Sequence, residues 1–112
     1  MNDSEFVLSD KILVVDDDLD FMDSVCKALE NETDKKVIQS RNGHDAVKKV
    51  DSEHPSVIIL DQMLPVRSGF LILEYIRNKY KGDLGPFVVM VTANEGRRHK
   101  AYAEQMGVDG YI

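Results

Sequence analysis

Short, uninterrupted apolar runs alternate along this chain with longer stretches in which apolar residues recur every three or four positions. That alternation constrains the fold more than any other feature, because runs buried on both faces belong to inner strands of a parallel sheet and the periodic stretches to helices that cover it. The runs are Ile12 to Val15, Val57 to Leu60 and Phe87 to Val91, all rich in β-branched residues, with a weaker one from Lys36 to Gln39. Between them Phe21, Met22, Val25, Ala28 and Leu29 share one helix face, as do Ala46, Val47 and Val50, then Phe70, Leu73, Ile76 and Tyr80. Ala101, Tyr102 and Met106 make a fourth.

Punctuation agrees with these boundaries. Asn42-Gly43 predicts a turn before the second helix, Pro55 stops that helix ahead of the third strand, and Ser68 is placed to cap the third. Gly107 follows the fourth helix, where a positive φ often closes a helix, and Asp109 to Ile112 begins a fifth strand. The order is (βα)4β. Right-handed crossovers put helices on both faces, which makes a doubly wound α/β sheet. At 112 residues and 43% hydrophobic content, one domain with one continuous core is expected.

Charge narrows the partners. Acidic residues outnumber Lys and Arg by 20 to 14, a net charge of -6, so direct binding to nucleic acid or to anionic lipid is disfavoured. No apolar stretch approaches the ~20 residues of a membrane span, and Met1 to Glu5 lacks the character of a signal peptide. The single cysteine, Cys26, reads as a small core residue on a helix and suits a reducing, cytoplasmic setting.

Three polar features fall where strands end: Asp16-Asp17-Asp18 after the first, Asp61 after the third and Thr92 after the fourth. In doubly wound sheets the carboxyl ends of the strands form the ligand crevice, so these segments converge. Clustered carboxylates repel unless a pKa rises or a cation binds, and an all-oxygen donor set favours a hard ion. Asp18 has a simpler use as the cap of the first helix. Asp61 has none, because a charge directly after Val57-Ile58-Ile59-Leu60 is costly to desolvate without metal, hydrogen bonds or chemistry, and a carboxylate there can act as a nucleophile. His44, His54 and His99 show no metal-ligand spacing, and Arg97 to Lys100 reads as a solvated basic helix turn.

The residues Ile12 to Asp18, Ile58 to Pro65 with Gly69, Val89 to Ala93 and Gly107 to Ile112 together resemble the receiver family of two-component response regulators over almost the whole chain. The resemblance implies a five-stranded sheet of order 2-1-3-4-5 and Asp61 as phosphoacceptor. It implies Asp16, Asp17, Asp61 and the main-chain carbonyl of Met63 as ligands of Mg²⁺, with Mn²⁺ as an alternative. Thr92 would hydrogen-bond a phosphoryl oxygen, and Tyr111 matches the aromatic switch residue. The implied partner is a sensor histidine kinase or a histidine phosphotransfer protein. The role is that of a signalling phosphoacceptor rather than an enzyme. The chain stops at Ile112, before the lysine that the family carries three residues after the aromatic position and before a fifth helix. The expectation is therefore a C-terminally incomplete receiver with exposed apolar surface that leaves room for a homodimer. Two rivals stand beside this reading. One is a pseudo-receiver that binds without being phosphorylated. The other is a phosphatase of the haloacid-dehalogenase type, in which Asp16 and Asp18 would be the acids and Asp61 would have no role.

Overall fold

The computed structural model describes residues 8–61, 68–80, 85–91, 104 and 107–111. The element order is β1 (Ser9–Val15), α1 (Leu19–Glu32), β2 (Lys36–Ser40), α2 (Gly43–Glu53), β3 (Pro55–Asp61), α3 (Gly69–Lys79), β4 (Phe87–Val91) and β5 (Gly110–Tyr111). The five strands form one parallel sheet in the order β2-β1-β3-β4-β5. The strand order changes direction at β1 and β3, which places their carboxyl ends side by side.

Alternation along the strands divides the core into two. Leu13, Val15, Ile58, Leu60, Val88 and Met90 point to one face and pack with Ala46 and Val50 of α2 and with Ile72, Leu73 and Ile76 of α3. Ile12 and Val14 point to the other and pack with Met22 and Cys26 of α1, with Val37, Val57 and Ile59 beside them. Side chains such as Leu13, Ile58 and Leu60 are wholly buried, each contributing roughly 1.5–3 kcal/mol of hydrophobic stabilisation. The sheet is thus covered on both faces, as the apolar runs require.

The helix boundaries follow the local chemistry. Asp18 caps α1 by accepting from the amides of Asp20 and Phe21, Asn42 caps α2 through the Asp45 amide, and Ser68 caps α3 through the Leu71 amide. α2 ends on His54 in the left-handed region at φ 48°, and Pro55 then opens β3. Gly107 has φ 91°, the conformation expected of it. The first helix differs in its orientation from the face expected of it. Met22 and Cys26 are its buried residues, flanked by Val25 and Leu29, whereas Ala28 is exposed and Phe21 is 37% exposed. A stripe through residues 22, 25, 26 and 29 fits the sheet, and Phe21 and Ala28 lie beyond its edge. The fourth helix falls outside the described residues except for Glu104, which is helical.

Candidate metal centre

Asp16 follows the last residue of β1, and its main-chain N–H donates to the Ser40 carbonyl at the end of β2 (3.1 Å). Its Oδ1 accepts from the Asp18 amide at 2.9 Å, which turns the chain sharply from β1 into α1. Asp61 is the last residue of β3, one position beyond Leu60, which pairs with Val15. The register therefore sets the carboxyls of Asp16 and Asp61 next to each other at the sheet edge. Oxygens of Asp16, Asp17 and Asp61 all lie within 4.8 Å of one another.

The electrostatics of this cluster are unfavourable without a cation or a shared proton. Asp16 is only 7% exposed, and its carboxyl is held above the ordinary aspartate range, chiefly by desolvation and further by the charges of Asp17 and Asp18. The Asp18 N–H and a hydrogen bond with Asp61 oppose that rise without cancelling it. A buried carboxylate flanked by two others, all offering oxygen, fits a hard divalent ion better than any other common ligand.

The structure brings together Asp16, Asp17 and Asp61 as expected. Met63 and Thr92 lie outside the described residues, as does the basic run from Arg97 to Lys100. The backbone of Tyr111 is in β5, paired with Met90, and the role expected of its ring concerns a side chain outside the described set. Asp18 is committed to the amides of Asp20 and Phe21 at 3.0 and 3.1 Å. That is the capping use expected of Asp18.

Two clusters carried no sequence signal. Ser40, buried to 1% exposure, donates to Asp45 Oδ2 at 2.8 Å. At the opposite end of the sheet Asp51 accepts from the hydroxyls of Tyr75 and Tyr80, both at 2.5 Å, and pairs with Lys79 at 3.0 Å.

A doubly wound parallel sheet of order 2-1-3-4-5 with a carboxylate cluster at the strand ends defines a flavodoxin-like domain of the receiver class. The model of the response regulator receiver domain family matches residues 12–112, and the chain belongs to that family. It is similar to the transcriptional regulatory protein CiaR of Streptococcus pneumoniae, with 35% identity over 102 residues, covering 91% of this chain and 43% of the relative. The chain thus spans less than half the length of that relative. Among solved structures, a DNA-binding response regulator of the LuxR family from Staphylococcus aureus superposes with a TM-score of 0.83 at 25% identity, covering 91% of this chain and 83% of the other. The BeF3-activated N-terminal receiver domain of Klebsiella pneumoniae RstA gives 0.82 at 25% identity, with the same two coverages.

Proposed function

We propose that this chain is a single receiver domain that accepts a phosphoryl group on Asp61 from a histidine kinase or a histidine phosphotransfer protein and thereby controls an output. The observation that carries this is the approach of Asp61 to Asp16 and Asp17 at the carboxyl edge of the sheet, with their oxygens within 4.8 Å. Asp61 Oδ would attack phosphorus as the P–N bond to the donor imidazole breaks and the leaving nitrogen takes up a proton. Asp16, Asp17, Asp61 and the Met63 carbonyl would hold Mg²⁺, or Mn²⁺ in its place. When bound, the ion neutralises charge on the transferring oxygens and fixes their orientation.

The residues themselves do the positioning. The Ser40 carbonyl and the Asp18 amide hold Asp16 at both its backbone and its carboxylate. β3, paired on both sides with β1 and β4, fixes Asp61 at its end. In this reading Thr92 hydrogen-bonds the phosphoryl oxygen and Tyr111 reports the change to the surface, which makes the domain a switch and not a turnover enzyme. Cys26, free and buried, suits the cytoplasm, and no helix among the described residues is long and apolar enough to cross a membrane. The same reading includes a homodimer through the C-terminal half of the sheet, where Phe87 is 52% exposed.

The test is incubation with Mg²⁺ and acetyl phosphate, or with beryllofluoride as in the RstA receiver, read by intact mass and by amide shifts. One phosphoryl group per chain, lost in Asp61→Asn, is expected. A parent chain that takes up no label would leave an interaction module that is not phosphorylated. Repeated turnover of a phosphomonoester would support the phosphatase alternative.

A further inference from the structure

Among the described residues two polar side chains are buried, Asp16 and Ser40, and they are neighbours across β1 and β2. The metal-centre reading uses Asp16 and the Ser40 carbonyl and leaves the Ser40 hydroxyl without a role. Ser40 faces two ways: its carbonyl accepts the Asp16 N–H, and its hydroxyl donates to Asp45 in the first turn of α2. Asp45 is itself fixed from two further directions. Its amide donates to Asn42 Oδ1 at 2.9 Å, and Lys49, one turn along, lies 3.1 Å from its Oδ2. Lys49 also donates to the Gln39 carbonyl, so the network closes on β2.

We infer that Ser40 and Asp45 are positioning residues for the metal centre, acting through the Asp16 backbone; the inference rests on the metal-binding reading given above. The physical reason is leverage within one residue. With its hydroxyl pinned to α2, Ser40 has little freedom to rotate its carbonyl away from the Asp16 N–H, and Asp16 cannot drift along the sheet edge. Mg²⁺ needs near-ideal octahedral geometry at about 2.0–2.1 Å, so small drifts of one ligand cost affinity. Outer groups that orient a ligand commonly change metal affinity by about 10–100-fold when removed. Because Ser40 and Asp45 act through main chain, the lower end of that range applies. Burial pushes the Asp45 carboxyl up, but the Ser40 hydroxyl and Lys49 outweigh it and hold it below the ordinary range, so it is ionised and a strong acceptor at neutral pH.

The experiment compares Mg²⁺ affinity by calorimetry, and exchange of the Asp16 amide by NMR, in the parent chain, Ser40→Ala, Asp45→Ala, Asp45→Asn and the Ser40→Ala/Asp45→Ala pair. Asp45→Asn removes the same charge as Asp45→Ala but keeps an oxygen for the Ser40 hydroxyl. Positioning predicts that Ser40→Ala and Asp45→Ala each weaken Mg²⁺ by about tenfold and expose the Asp16 amide to faster exchange. The double variant should be no worse than either single one, and Asp45→Asn should stay near the parent. Equal losses in Asp45→Asn and Asp45→Ala would mean a charge felt at a distance and would overturn the inference. So would variants that lose thermal stability but bind Mg²⁺ like the parent. A parent chain that binds no Mg²⁺ would overturn the metal-centre reading itself, and the inference with it.

Discussion

Asp16 is a residue whose burial costs stability, which the proposed cation would offset. Its carboxyl is buried beside two others, and desolvation raises its pKa. A carboxyl with a raised folded pKa contributes stability only while protonated, so that contribution fades as pH rises through the ordinary aspartate range and beyond. In metal-free buffer at neutral pH, Asp16→Asn should therefore raise Tm by a few degrees, and the same substitution should weaken the response of Tm to added Mg²⁺. Thermal unfolding with chelator and with Mg²⁺ measures both. Asp51 is the opposite case. Burial pushes its carboxyl up, but hydrogen bonds from Tyr75, Tyr80 and Lys79 together hold it below the ordinary range. A lowered folded pKa means that its contribution is complete above about pH 4 and is lost as pH falls through the folded value. Asp51→Ala should cost about 1–3 kcal/mol at neutral pH, since two tyrosine hydroxyls lose a charged acceptor. The gap between parent and variant should close as the pH is taken below about 4, which urea unfolding at several pH values would show. Burial, together with the same carboxylate, pushes the Tyr80 hydroxyl up to about 12.

At the scale of elements, α3 is tied to the far side of the sheet by Arg77. Its Nη1 donates to the Pro86 carbonyl at 2.9 Å, its Nε to the Gly107 carbonyl at 2.7 Å and its Nη2 to Asp109 at 2.7 Å. Asp109 in turn accepts from the Val88 amide and donates its own N–H to the Val88 carbonyl, both at 2.8 Å. One guanidinium thus joins α3, the start of β4 and the turn into β5, which is short and needs the support. Arg77→Met is expected to cost about 2 kcal/mol, discounting three hydrogen bonds for partial exposure, and to speed hydrogen exchange at the Asp109 amide more than at β1. Gly107→Ala should cost about 1 kcal/mol by a different route. Its φ of 91° disfavours a side chain, and a Cβ there would meet Arg77 Nε at 3.2 Å.

For the whole molecule, the two faces of the sheet are unequally covered at β4. Val88 and Met90 are wholly buried on the side of α2 and α3, whereas Phe87, which pairs with Val57 on the α1 side, is 52% exposed. A parallel sheet tends to be covered on both faces, so this face of β4 is where a second copy would gain most from contact. Sedimentation over a range of concentrations should show weak self-association that Phe87→Glu abolishes. A parent chain that stays monomeric at high concentration would remove the homodimer from the proposed function.

The class of fold, the two-sided burial of the strands, the helix caps at Asp18 and Ser68, the break at Asn42-Gly43 before α2, and the three acids at the strand ends were all determined by the sequence alone. These features rest on local periodicity and on side chains that bond to backbone a few positions away, and such interactions are written in consecutive residues. Tertiary structure decided the rest. It set which stripe of α1 faces the sheet and left Phe21 and Ala28 outside it. It brought Ser40 and Asp45 behind Asp16, gathered Asp51, Tyr75, Tyr80 and Lys79 into one network and placed Arg77 against Gly107 and Asp109. These partners come from different elements, and their meeting depends on strand order, register and helix rotation, which no run of neighbouring residues encodes.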